Sequence, residues 1–201
     1  MRDEIQAYKR ERILQEAVKL FYARGFTGTT LDDIAAALGV TKPFIYTHFR
    51  SKTELLSAIC LPPIEQSLAA AVNAVNAPGS PKRRLRCLIE DFTKAVLGSQ
   101  ANIAILFREE KHLPTETSAE LDRQRKEFDH LLGQLLEEGN ACGEFRIGDP
   151  PLAALALGGM ISWAYTWYKP DGRLDLDELR KRMATLALQM AGVPPPCDAP
   201  R

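Results

Sequence analysis

Thr30-Leu-Asp-Asp33 and Ser51-Lys-Thr-Glu54 each place a hydroxyl three residues ahead of an acid, a pattern that starts a helix. Between them Gly39-Val40 breaks the chain, and Thr41 offers a fresh N-cap with Pro43 tolerated in the first turn. This stretch must therefore hold two short helices joined by a tight turn, a helix-turn-helix arrangement. Leu31, Ile34, Ala35 and Leu38 share one face of the first helix. The second helix, expected to run to His48 or Phe49, can bury only Ile45 and Phe49. Lys42, Pro43, Phe44, Tyr46, Thr47 and His48 are left with little core to share. Such a helix makes sense if its outer face docks in the major groove of duplex DNA, which is wide enough for one helix.

The rest of the chain reads as helix after helix. A first helix over about 3–24 carries Ile13, Leu14, Ala17, Val18 and Phe21 as an apolar stripe, and Gly25 ends it. A long helix runs from Ser51 to about Asn76, and Ala77-Pro-Gly-Ser-Pro81 interrupts it. Further helices are expected at about 81–97, 101–112, 115–139, 150–168 and 175–191. No segment alternates apolar and polar residues beside a hairpin signal, so the fold class is all-α. The expected organisation is a three-helix DNA-binding domain over 1–55, a larger helical domain over 56–193, and a disordered Pro-rich tail over 194–201.

Composition narrows the partners. Hydrophobic residues at 45% supply a core, and 26 basic residues balance 26 acidic ones, which excludes a strongly basic nucleic-acid coat protein. Residues 1–55 hold nine Lys/Arg against seven Asp/Glu, an asymmetry too small to decide anything. Cys60, Cys87, Cys142 and Cys197 stand too far apart for a C-x-x-C pair and are expected to be reduced thiols. The charged opening 1–16 predicts no secretory leader, and with the reduced thiols it points to a cytoplasmic protein. The uncharged run Leu152–Tyr168 falls short of a bilayer span and reads as a buried helix, so no membrane is expected.

Chemistry assigns roles around the turn. Lys42 can donate to guanine O6/N7 or to a phosphate, and Pro43 and Phe44 offer apolar contact to thymine methyls. Tyr46 and His48 suit phosphate oxygens at the groove edge. Thr29, Thr30, Thr41 and Lys52 stand at helix starts, where hydroxyls, amides and the positive helix end favour an anion. These residues form the candidate DNA site: a base-reading helix between phosphate clamps.

The same residues carry a family resemblance. A long first helix ending Ala23-Arg-Gly-Phe26, then Thr29-Thr-Leu-Asp-Asp-Ile-Ala35, Leu38-Gly-Val-Thr41 and Ile45-Tyr-Thr-His-Phe-Arg-Ser-Lys-Thr-Glu-Leu-Leu56 resemble TetR-type transcriptional regulators. The match covers about a quarter of the chain. Pro43 departs from it, since a small residue, commonly glycine, is usual there. The resemblance implies a homodimer that binds a palindromic double-stranded DNA operator and a C-terminal domain that takes a small-molecule effector.

Late helices are the candidate dimer interface. Leu155, Gly158, Gly159 and Ser162 permit close approach, and Leu179, Met183, Leu186 and Met190 form a stripe. Short matches, Leu106-Phe-Arg-Glu-Glu110, Gly143-Glu-Phe-Arg-Ile-Gly-Asp149 and Gly159-Met-Ile-Ser-Trp-Ala-Tyr-Thr-Trp-Tyr-Lys-Pro-Asp-Gly172, are similar to the acyl-CoA-sensing branch of the family. They imply an apolar tunnel with cations at its mouth, and Arg108, Phe128, Trp163 and Trp167 are the candidate ligand residues. Aromatic residues at helical spacing also serve as plain core.

Glu109 and His112 stand at i,i+3 and read as a surface ion pair rather than metal ligands, so no metal and no cofactor are expected. No nucleophile elbow, P-loop or dinucleotide fingerprint is present, and no enzyme is expected. The expected function is a repressor released from its operator by a small apolar or acyl-CoA effector. Two other readings stay open: a DNA-binding protein of this fold without an effector, and a helical ligand-binding protein that does not regulate transcription.

Overall fold

The computed structural model describes residues 2–193. The expected disordered tail, with Cys197, lies outside them. Among the described residues the regular elements are helical throughout: α1 (Arg2–Arg24), α2 (Leu31–Leu38), α3 (Lys42–Tyr46), α4 (Lys52–Asn76), α5 (Pro81–Gly98), α6 (Gln100–Glu109), α7 (Thr115–Ala141), α8 (Pro150–Ser162) and α9 (Leu176–Met190). Short 3-10 turns follow α6 at Glu110–His112 and α8 at Trp163–Thr166.

The caps show why these segments are helices. The Thr30 hydroxyl accepts from the Asp33 amide, and the Asp33 carboxylate accepts from the Thr30 amide, a complete capping box for α2. Asp33 is held below the usual carboxylate range by those Thr30 hydrogen bonds, the side-chain one first. At α4 the Ser51 hydroxyl accepts from the Glu54 amide, while the Glu54 carboxylate reaches one residue further back, to the Arg50 amide. Asp149 and Asp175 cap α8 and α9 through the amides of Leu152 and Glu178. Thr41 sits at the expected N-cap position of α3 with an extended backbone, but its hydroxyl makes no capping bond.

Two elements end earlier than their apolar patterns predict. The α-helix α3 covers only Lys42–Tyr46: the Thr47 amide is shared between the Pro43 and Phe44 carbonyls, and the His48 amide turns tightly onto the Ile45 carbonyl, which also accepts from the Phe49 amide. The segment 150–168 is not one helix: α8 gives way at Trp163 to a 3-10 turn, in which Thr166 donates its hydroxyl to the Trp163 carbonyl.

The described residues divide into two compact units, 2–63 with 99–121, and 64–98 with 122–193. In the first unit α6 and the start of α7 pack with the segment that holds α1 to α3. Its core gathers Ile13, Ala17 and Phe21 of α1, Ile34 of α2, Ile45 and Phe49 around α3, Leu55, Leu56 and Ile59 of α4, and Ile105 and Leu106 of α6. Each large apolar side chain buried in this way contributes about 1.5–3 kcal/mol. Pro62 and Pro63 lie inside α4, so the Ala58 and Ile59 carbonyls lose their usual donors. The Asn102 amide of α6 answers the second, donating to the Ile59 carbonyl at 3.0 Å.

In the second unit α5 packs along α9 and against α8. Leu85, Leu88, Ile89 and Phe92 of α5, Leu132, Leu135 and Leu136 of α7, Leu157 and Ile161 of α8, and Leu179 and Met183 of α9 are buried. Arg84 is buried as well, ion-paired to Glu138 and donating to the Val75 carbonyl at 3.1 Å. Asn140 holds the chain after α7 by accepting from the Ile147 amide and donating to its carbonyl. That fold-back lays Phe145 against Gly139, where any Cβ would overlap the ring. Helix α4 is long and apolar enough, by length and composition alone, to cross a bilayer; 44% of its apolar window is buried within the chain.

Candidate nucleic-acid interface

Gly39 closes α2 in the left-handed region at φ 67°, where a glycine carries no Cβ penalty. This turn delivers α3 with Ile45 and Phe49 fully buried, as the pattern predicts, and with Thr41, Lys42, Pro43, Tyr46 and Thr47 exposed. Phe44 and His48 are half-buried and meet edge to face at 5.2 Å. The outward surface of α3 is therefore a mixed face of one ammonium, two hydroxyls, one phenol and two apolar rings.

Helix α1 adds cations beside it. Lys9 places its ammonium 5.7 Å from the Phe44 ring. Arg10 lies 3.9 Å over the Phe49 ring and donates to the His48 carbonyl at 2.7 Å. His48 is pushed below its ordinary pKa, first by loss of solvent and then by repulsion from Lys9 and Arg10. Sequence reasoning missed both cations. The available signal was the basic run Lys9-Arg10-Glu11-Arg12, one turn ahead of the apolar stripe that begins at Ile13.

Three of the expected phosphate contacts carry different duties. Thr29 is fully buried, and its hydroxyl donates to the Gly25 carbonyl at 2.9 Å, so it closes the end of α1 rather than facing an anion. Thr30 is exposed, but its hydroxyl and amide are both engaged with Asp33. Lys52 donates to the Phe26 and Thr29 carbonyls, each at 2.8 Å, with its ammonium 4.2 Å from the Phe26 ring. It staples the α1–α2 loop from inside, and the positive end of α4 carries no outward lysine at that point. Lys42 is exposed and pairs with Asp32 at 2.6 Å.

The candidate ligand residues fall in different units. Arg108 belongs to the first unit, where its guanidinium donates to the Phe21 and Tyr22 carbonyls at the end of α1 and to Glu109. Glu109 itself is buried, accepts from the Phe26 amide at 3.2 Å and stands 3.8 Å from His112, which stacks on Phe26. The Glu109–His112 pair thus joins a buried carboxylate to a half-buried imidazole, where a surface pair was expected. Phe128 is buried in the second unit with its ring 4.5 Å from Phe92. Trp163 and Trp167 are exposed, at 60% and 51%, so neither lines an interior pocket of this chain. Among the described residues no group of three or more His, Cys, Asp or Glu side chains gathers to hold a metal.

The expected interface stripe on α9 splits. Leu179 and Met183 are buried inside the unit, while Leu186 and Met190 are exposed. On α8 the exposed residues Leu152, Leu155 and Gly159 fall on one face at helical spacing, and the exposed Trp163 follows in the 3-10 turn. A groove of ≈ 340 Å³ lies beside Leu155, bordered on α7 by Asp129, Gly133 and Glu137. Burial pushes the Asp129 carboxyl above the usual carboxylate range.

Residues 13–59 match the bacterial regulatory proteins of the tetR family, and residues 78–191 match the tetracyclin repressor-like C-terminal domain. The chain belongs to the TetR family. As a TetR-family member it is a DNA-binding transcriptional regulator, and α2 and α3 are its helix-turn-helix. It is 32% identical over 183 residues to the HTH-type transcriptional repressor KstR2 of Rhodococcus jostii (strain RHA1), covering 90% of this chain and 89% of that one. Among solved structures it resembles the TetR-family regulator PfmR from Thermus thermophilus, with a TM-score of 0.81 and 31% identity over 89% of this chain and 97% of that one. It also resembles AibR, solved in complex with isovaleryl coenzyme A and operator DNA, with a TM-score of 0.74 and 30% identity over 88% and 96% of the two chains.

Proposed function

We propose that this TetR-family regulator is a homodimeric repressor that leaves a palindromic operator when an acyl-CoA thioester or similar small apolar effector binds its C-terminal helices. The observation that carries the DNA reading is the sidedness of α3: Ile45 and Phe49 anchor it, while Lys42, Pro43 and Tyr46 are exposed. Lys42, Pro43 and Phe44 read base edges, Thr41, Tyr46 and His48 serve the groove edge, and Lys9 adds a phosphate contact from α1. Thr29 and Lys52 hold the loop between α1 and α2.

The repressor and thioester parts are supported by the named relatives, KstR2 as a repressor and AibR as a structure with isovaleryl coenzyme A and operator DNA. The dimer part is supported by the exposed apolar residues Leu152 and Leu155 on α8, Trp163 in the turn after it, and Leu186 and Met190 on α9. One α3 alone reads a single half-site, and a two-fold pair reads two about one helical turn or more apart. The regulator works without a catalytic step and in the cytoplasm. In the test, wild-type protein is titrated onto a duplex from its own upstream region, with isovaleryl, longer-chain and aromatic CoA thioesters added in parallel. Release by one thioester class supports the reading. Operator binding that no thioester alters would remove the effector part, because ligand and operator must weaken each other reciprocally.

A further inference from the structure

The Lys42 ammonium, the one cation on the exposed surface of α3, is held by a carboxylate of its own chain. Asp32 in the first turn of α2 accepts from Lys42 Nζ at 2.6 Å, and both side chains are open to solvent. Capping does not account for Asp32, because its neighbour Asp33 supplies the carboxylate of the capping box. Two adjacent acids thus do separate work: Asp33 faces back to Thr30, and Asp32 faces across to α3. The Lys42 pKa is raised by this contact, the Asp32 hydrogen bond first.

We infer that Asp32 is a specificity-determining residue, whose carboxylate engages Lys42 in the free protein and makes Lys42 bind DNA only where base edges replace it. On an arbitrary duplex the nearest acceptors for Lys42 are phosphates. Taking one leaves Asp32 exposed and negative against a backbone that carries a charge about every 1.7 Å of helix axis. At a site that offers paired acceptors such as guanine O6/N7 deeper in the groove, Lys42 gains a directional contact away from the phosphates. The carboxylate therefore penalises random sequence more than the preferred one. This inference rests on the outward surface of α3 being the DNA-reading surface.

The experiment compares wild type, Asp32→Asn, Lys42→Met and the double variant. The probes are a duplex enriched by the wild-type protein from a randomised pool and a random-sequence duplex of equal length, each titrated over a range of salt. Asp32→Asn is expected to tighten random-duplex binding about three- to ten-fold, the scale of one released charge pair plus one added phosphate contact. Affinity for the enriched duplex is expected to change less than about two-fold, so the specificity ratio falls, and the salt slope on random duplex steepens by about one. The gain is expected to vanish in the double variant, which ties it to Lys42. An equal change on both duplexes, a gain that persists without Lys42, or a loss on both with a lowered melting temperature would each overturn the inference. If Lys42→Met leaves the enriched duplex bound as tightly as wild type, the DNA-reading role of Lys42 on α3 fails as well, and that result is separable from the others.

Discussion

The Asn102 side-chain amide donates to the Ile59 carbonyl, the group that residue 63 would serve if it were not proline. A helix interior with two adjacent prolines is thereby supported from α6 rather than by its own ladder. Asn102→Ala removes the donor and is expected to cost about 1–2 kcal/mol, the usual scale for a polar group left without its partner. Thermal unfolding would show this as a melting temperature lower by a few degrees. An unchanged melting temperature would mean that solvent serves the Ile59 carbonyl equally well.

Lys52 separates two roles that look alike in a binding assay. Its ammonium is committed to the Phe26 and Thr29 carbonyls. Lys52→Met is therefore expected to lower stability by about 1–3 kcal/mol, since hydrogen bonds from a charged donor exceed neutral ones. The salt dependence of DNA binding should keep its slope. A slope reduced by about one with unchanged melting would instead mark Lys52 as a phosphate contact.

His48 makes the DNA-binding unit sensitive to mild acid. Burial and the neighbouring Lys9 and Arg10 depress its pKa below the ordinary 6.5, so the folded state takes up a proton less readily than the unfolded one. Above that ordinary value both states are neutral at this residue and it contributes nothing. As pH falls through and below it, the unfolded state gains protons first and stability declines. His48→Gln should flatten this part of the melting-temperature profile between neutral and mildly acidic pH. A profile identical to wild type would show that His48 is not its source.

The apolar residues exposed on α8 and α9 make a fourth expectation concrete. Leu155→Glu combined with Trp163→Glu places two charges where both side chains are more than half exposed in the single chain, so folding should survive. Sedimentation should then report a monomer with unchanged helical content. Operator affinity should fall at least about ten-fold, because each half-site is then bound alone. A dimer that persists through both changes would place the interface elsewhere.

Asp129 titrates in the opposite sense from His48. Burial raises its carboxyl pKa above the ordinary value of 3.8, so the folded state holds its proton more readily. Its contribution to stability is full in acid and is lost as pH rises through the folded value. Asp129→Asn is accordingly expected to raise the melting temperature at neutral pH and to matter little in strong acid. A lower melting temperature at neutral pH would show that the charged carboxylate is needed.

Local features were the ones legible in the sequence. The Thr30–Asp33 box, the Gly39 turn and the Ile45/Phe49 anchor each depend on neighbours within four residues, and all appear as expected. The internal contacts of Thr29 and Lys52 were not legible, because their partners lie elsewhere in the chain. A threonine at a helix start looks free until the end of α1 closes over it, and Lys52 reaches carbonyls 23 and 26 residues away. The partners of Arg108 were hidden for a similar reason, since α6 packs with the first unit and its cation meets the end of α1. Trp163 read as a pocket residue because helical spacing marks a stripe without telling which surface covers it, and the switch to a 3-10 turn at that residue leaves the ring in solvent.

The close seat of the Phe145 ring on Gly139 restricts how this chain can diverge. Neither position can exchange alone: alanine at 139 is admissible only beside a smaller residue at 145, and a smaller residue at 145 vacates a space that only a larger one at 139 would refill. The two sites form a reciprocal pair, and lineages descending from this sequence should change them in step.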